Sequence, residues 1–314
     1  MHNFSRPFNI ESLMVTDEIQ ADLEAIERNV VLYEEASFDS RVEALDYLEF
    51  HILDRIEGLL QAPNSATGLL SLQQRAENVK RRLGAIDAVL FQRLRADIRT
   101  DRFRGTSLLA LVTSCIGRGA NGKQAQQEVG YDTLDVFTNN LFPDLAFPSE
   151  TQEREPEMVF YQKTPARVIF ELVEKAQFTT TDVLYDLGSG LGHVPILVNL
   201  LSGVTAKGIE VEPAYCAYAS ACAADLNLPL VTFIQTDART ADYSDGTVFF
   251  LYTPFEGRML QEVLERLRTE AQHRSIRLFT YGPCTLHLAQ QGWLRCVDPT
   301  AMDLYKLAEF RSFH

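Results

Sequence analysis

The residues of this 314-residue chain best placed to do chemistry lie in one stretch. Asp186 stands two residues ahead of the run Gly188-Ser189-Gly190-Leu191-Gly192, and Glu210 follows about 20 residues beyond it. Glycine has no Cβ, so the backbone there can approach a ligand closely. The two carboxylates would add negative charge and hydrogen-bond acceptors on either side. A pyrophosphate suits this arrangement poorly, because the spacing is G-x-G-x-G rather than G-x-G-x-x-G and a carboxylate just ahead of the turn repels phosphate. A cationic, ribose-bearing ligand suits it well: Asp186 would face the positive charge and Glu210 would accept from both ribose hydroxyls. The plainer alternative is a tight βα turn with two surface acids.

The elements that must hold these residues follow from the apolar pattern. A short strand over 183–185 leads into Asp186, an apolar helix over 193–201 has Pro195 in its first turn, and a strand over 206–209 ends at Glu210. A helix over 215–226 precedes a third strand, 230–235, which ends at Thr236-Asp237-Ala238. The fourth strand, 247–252, runs into Thr253-Pro254-Phe255 and a helix to about Glu270. A strand over 276–281 and a closing hairpin, 293–297 with 304–310, complete seven strands with an antiparallel end. Ahead of the unit, Tyr161-Gln162-Lys163-Thr164-Pro165 opens a helix over 166–176. The pattern predicts an α/β, Rossmann-like sheet. S-Adenosylmethionine, with its ammonium, sulfonium and ribose, meets the description of the ligand.

Residues 1–147 read as an all-helical domain and 148–314 as the ligand-binding one, joined at the charged, proline-flanked stretch 147–157. Ile19, Leu23, Ile26 and Val30 make one helical stripe; Ser40 to Glu43 reads as a capping box; Leu72, Ala76, Val79, Leu83, Ile86, Leu90 and Leu94 keep register along a long helix. Breaks are expected at Pro63-Asn64 and at the glycine-rich 117–122, with shorter helices over 107–116 and 131–141. Residues 1–60 hold 14 acids against 4 Lys/Arg, and residues 75–104 hold 9 Lys/Arg against 4 acids. The basic helix (Lys80, Arg81, Arg82, Arg93, Arg95, Arg99) therefore pairs more simply with the acidic ones than with an acidic partner. A net charge of −14 disfavours a nucleic-acid partner. Five cysteines without a CxxC pair predict reduced thiols, a cytoplasmic setting and no metal site. No apolar run reaches the roughly 18 residues of a membrane span.

On the residues just described, 160–310 resembles the class I S-adenosylmethionine-dependent methyltransferases. The resemblance implies their seven-stranded methyltransferase sheet and a position-by-position site. Asp186, Gly188, Ser189, Gly190 and Gly192 would hold the methionine end, Glu210 with Val211 the ribose, and Asp237 with the Ala238 N–H the adenine, with Thr164 added to the cofactor set. Tyr252, Thr253, Pro254 and Phe255, with Tyr161, would stand beside the sulfonium and the methyl acceptor. The nearest pattern is that of the histone-lysine methyltransferases that lack a SET domain, shared at Tyr161, the 186–192 turn and Gly208-Ile209-Glu210. The chain differs from them at Gln162-Lys163 and at Thr253-Pro254.

The expected activity is methyl transfer to nitrogen or oxygen of a small molecule or protein side chain, lysine included. An amine acceptor must shed its proton, and an aromatic wall of Tyr161, Tyr252, Phe255 and Tyr281 would favour the neutral form. His193 reads as a first-turn residue rather than a base. The alternatives are a non-catalytic S-adenosylmethionine-binding module acting through protein interaction and, third, a nicotinamide dehydrogenase. The helical half is a candidate surface for substrate or for a homodimer.

Overall fold

The structure, a computed structural model, describes residues 10–61, 67–116, 132–301 and 303–313. The chain divides into two compact units, Met1–Arg93 with Thr113–Arg118 and Leu94–Val112 with Gly119–His314. The expected breaks at Pro63-Asn64 and 117–122, and Tyr131, lie outside the described residues.

The first unit is helical: α1 (Ile10–Arg28), α2 (Phe38–Asp46), α3 (Asp54–Leu60) and most of α4 (Thr67–Arg99), with a π-helical turn, Tyr47–Leu53, joining α2 to α3. Ile19, Leu23, Leu48, Ile52, Ile56, Leu72, Ala76, Val79 and Leu83 form its core, so the stripe expected along α4 is buried here. Two expectations fail locally. Val30 is 74% exposed, because α1 stops at Arg28 and the Asn29 side chain accepts from the Val31 N–H at 3.2 Å, starting a 3₁₀ turn. Ser40 is exposed inside α2 rather than capping it; buried Phe38, edge-on to Phe91 at 5.5 Å, starts the helix earlier. Arg41 is fully buried, with its guanidinium on Asp87 at 2.8 Å and on the carbonyls of Leu32, Glu34 and Glu35.

The second unit holds a seven-stranded sheet: β1 (Val183–Leu187), β2 (Thr205–Glu210), β3 (Val231–Gln235), β4 (Val248–Leu251), β5 (Arg277–Thr280), β6 (Leu294–Cys296) and β7 (Ala308–Ser312). Its order is β3-β2-β1-β4-β5-β7-β6, with β7 antiparallel to both neighbours and the other pairs parallel. Helices α5 (Thr106–Ile116), α6 (Thr133–Leu141), α7 (Ala166–Ala176), α8 (His193–Ser202), α9 (Pro213–Asp225), α10 (Gly257–Ala271) and a short α11 (Cys284–Ala289) complete the order. The central strands are apolar on both faces, the pattern of a parallel sheet covered on each side, and β4 is wholly buried. The sheet reverses direction of build between β1 and β4, which opens a crevice at their carboxyl ends. No described helix is long and apolar enough to cross a membrane.

Candidate active site

A cavity of about 520 Å³ occupies that crevice, within the roughly 300–1,000 Å³ of small-molecule sites. Asp186, Gly188, Ser189, Gly190, Glu210, Val211, Asp237, Ala238, Thr164, Tyr161, Tyr252, Thr253, Pro254 and Phe255 all line it. Gly192, of the residues read from the sequence, does not. At φ +83° it turns the chain into α8, and a Cβ there would meet Phe233 at 2.5 Å and Ala219 at 2.8 Å. Its task is packing the turn on β3 and α9.

The turn is wired to β2. The N–H groups of Gly188 and Ser189 both donate to the Ile209 carbonyl, at 2.9 and 3.0 Å. One Glu210 oxygen accepts from the Gly190 N–H at 2.7 Å and the other from the Glu212 N–H at 2.8 Å. The Val211 backbone also donates to this carboxylate, which keeps acceptor capacity for a ligand. Burial raises the Glu210 pKa against the lowering effect of these bonds. Asp186 is 4% exposed, and no hydrogen bond reaches its carboxyl among the described residues. Burial, and then the charge of Glu210, push its pKa well above the ordinary carboxylate value. The Asp186 carboxyl opens onto the cavity, whereas the Ser189 hydroxyl is buried without a partner among the described residues, against the bare Cα of Gly208.

At the end of β3, Asp237 accepts from the Arg239 N–H at 2.7 Å and from the Arg239 guanidinium at 2.6 to 3.1 Å. The same guanidinium reaches Glu155 at 2.6 Å. Glu212, buried, caps α9 through the Ala214 N–H and holds Thr151 and Gln152 at 2.6 to 3.0 Å. Sequence reading missed Glu155, Glu212 and Arg239. The acid ahead of Pro213 signals the cap of α9, but nothing local announces the partners 61 or 84 residues away.

Across the cavity the aromatics converge. The Tyr161 ring lies on Gly190, where a Cβ would overlap it, and its hydroxyl is 3.4 Å from His193 Nδ1. Tyr252 and Tyr281 meet at 5.0 Å between ring centres. Thr253 adopts φ +41°, a left-handed conformation that is strained for a β-branched residue. Its hydroxyl accepts from the Cys284 N–H at 3.2 Å and faces the Tyr281 carbonyl. Pro254 fills the space beside Gly188, and Phe255 pairs with Met158. Burial, aided by Lys163, lowers His193 to about 3, so its imidazole is neutral. Among the described residues no group of His, Cys, Asp or Glu could hold a metal ion.

Residues 157–243, which run from before α7 to just beyond β3, match the family model described as histone methylation protein DOT1. That segment contains the glycine turn, both carboxylates and the β2–β3 edge. The chain is a class I S-adenosylmethionine-dependent methyltransferase. The methyltransferase's cofactor is S-adenosylmethionine, and the donor set fits it: a carboxyl facing the cavity with no hydrogen bond among the described residues suits a cation, and a carboxylate with remaining acceptor capacity suits a ribose diol. The family match covers under a third of the methyltransferase. A search of curated proteins returns no match. An RNA methyltransferase from Salinibacter ruber in complex with S-adenosyl-L-homocysteine is similar at 27% identity over 48% of this chain and 92% of that one, with a TM-score of 0.39. The putative methyltransferase yhhF from Escherichia coli is similar at 15% identity over 50% and 92% of the two chains, TM-score 0.40. The delta-N METTL16 methyltransferase domain is similar at 16% identity over 46% and 80%, TM-score 0.34.

Proposed function

We propose that this methyltransferase moves the methyl group to nitrogen or oxygen of a small molecule or a protein side chain, a lysine amine among them. The observation that supports the reading of the site is the Asp186 carboxyl, 4% exposed, facing the cavity beside Glu210 with no hydrogen bond among the described residues. Bound there, S-adenosylmethionine supplies a methyl already activated by its sulfonium. Asp186 and the close backbone approach of the glycine turn hold the methionine end, Glu210 the ribose, and Asp237 with Ala238 the adenine. Tyr161, Tyr252, Thr253, Pro254 and Phe255 position the acceptor and exclude water, which is what an in-line displacement asks of a protein.

The aromatic wall favours an uncharged nucleophile. An ammonium, with a pKa near 10.4 in water, loses its proton more readily against Tyr252, Tyr281 and Phe255 than in solvent. His193, held near 3, is too weak a base to take that proton. The test is formation of S-adenosylhomocysteine with a panel of amines, alcohols and lysine peptides, with Asp186→Asn as the control. Turnover with one class in the native chain and loss of it in the variant is the expected result. Product formation untouched by Asp186→Asn would refute the site.

A further inference from the structure

Residues 150–157 run across the end of the cavity where Asp237 lies, and most of their side chains are exposed. Both ends of this strap are tied down by bonds to fixed elements. At one end the Glu212 carboxylate accepts from the Thr151 and Gln152 N–H groups, each at 3.0 Å. At the other end the Glu157 carboxylate accepts from the first N–H groups of α10, Arg258 at 3.0 Å and Met259 at 2.7 Å, and its carbonyl accepts from Glu256. Between them, among the described residues, the guanidinium of Arg239 links the strap to the sheet. It lies between Glu155, at 2.6 and 3.2 Å, and Asp237. The Glu155 side chain is half exposed, so this pair contributes little to stability and opens easily. Arg239 itself does not line the cavity, whereas both of its carboxylate partners do.

We propose that Arg239 is a positioning residue with two tasks: it orients the Asp237 carboxylate toward the adenine, and it latches the strap through Glu155, so that cofactor exchange waits on the Glu155–Arg239 pair. The inference rests on the reading of this cavity as the cofactor site. A strap fixed at both ends and held between them by the solvated Glu155–Arg239 pair opens by releasing that pair. Opening exposes the nucleoside end without disturbing Glu212 or the start of α10. Closure on a bound nucleoside restores the pair, so the latch governs rates in both directions and leaves the equilibrium little changed. The orientation of Asp237 is a separate matter. A carboxylate can accept from the adenine amino group but not from the carbonyl that replaces it in hypoxanthine, and this preference requires the carboxylate to stay aimed.

The experiment uses the full chain and labelled S-adenosylhomocysteine released into excess unlabelled ligand. Glu155→Gln is expected to speed release about threefold and binding by a similar factor, with affinity changed less than about twofold. Raising salt from about 0.05 M to about 0.5 M is expected to speed release from the native chain and not from Glu155→Gln. Arg239→Gln is expected to lower the preference for S-adenosylhomocysteine over S-inosylhomocysteine by about fivefold, a ratio that a purely structural loss would leave alone. Native release rates in Glu155→Gln overturn the latch, and an unchanged ratio in Arg239→Gln overturns the positioning role. Failure of the native chain to bind S-adenosylhomocysteine overturns the cofactor reading itself, and the latch with it.

Discussion

A carboxyl that is buried without a hydrogen bond weakens the protein that carries it, unless a ligand completes it. Asp186 is in that position, and the sign of its effect can be worked out. Its folded pKa lies above the ordinary carboxylate value, so the stability it contributes is full at low pH and is lost as pH rises through the raised value. Replacing it by Asn removes the ionising group. Asp186→Asn without cofactor should therefore melt higher than the native chain at alkaline pH, and the advantage should vanish as pH falls below the ordinary carboxylate value. The same substitution should weaken S-adenosylmethionine binding by ~1.5–3 kcal/mol, as should Glu210→Ala, read by calorimetric titration. Binding to the native chain should itself fade as pH drops and the carboxyl takes up its proton. His193 makes the opposite kind of prediction. With its pKa at about 3 it is neutral throughout the working range. With an amine acceptor the rate should rise about tenfold per pH unit toward the acceptor's own pKa, without an inflection near 6.5, and His193→Gln should keep that slope.

The β1–α8 turn shows how one short element divides its work among residues. Gly190 and Gly192 both have φ > 0, so alanine at either is strained by about 1–2 kcal/mol. They differ in what the added methyl would meet. At Gly190 it strikes the Tyr161 ring, so Gly190→Ala should cut cofactor affinity more than tenfold, seen by titration, with a modest fall in melting temperature. At Gly192 it strikes Phe233 and Ala219, so Gly192→Ala should cost about 2–4 kcal/mol of stability, seen by thermal melting, ahead of any effect on binding. The same turn explains what could be read from the sequence. Glycine spacing, a carboxylate at each strand end and apolar runs between them are local signals, so β1, α8 and β2 and the cavity residues they carry were legible. So was α7, found over the 166–176 expected. The left-handed Thr253 was not, because nothing in Thr-Pro-Phe announces φ +41°; it follows from packing against Cys284 and Tyr281. Nor were the clamp of Glu155 on Arg239 and the early start of α2, which depend on partners far along the chain.

At the scale of the whole chain, charge and compactness point the same way. The basic residues of α4 are engaged within their own units: Lys80 with Glu49, Arg93 with Glu35, Arg82 over the Tyr33 ring, Arg95 with the Asn140 carbonyl and Arg99 with Asp225. With a net charge of −14 and these cations partnered, duplex DNA should show no binding at about 0.15 M salt in a mobility-shift assay. The organisation of the sheet unit can be tested by where a fragment begins. Asp135 of α6 is 2% exposed, accepts from the Ala166 N–H that opens α7 at 2.9 Å, and pairs with Lys163 at 3.1 Å. The Phe142 ring, just beyond α6, lies tilted by 31° against the His193 ring at 4.4 Å. A fragment starting at Pro148 loses all of these and exposes the face of α7 on which α6 packs, whereas one starting at Asp132 keeps them. An orphaned helix N–H, the lost Asp135–Lys163 pair and the lost burial together amount to about 3–5 kcal/mol. The Pro148 fragment should then melt about 10 °C below the Asp132 fragment and bind S-adenosylhomocysteine more weakly, because the ring that backs His193 is gone. Equal melting temperatures and equal affinities would mean that the cofactor site needs nothing ahead of residue 148.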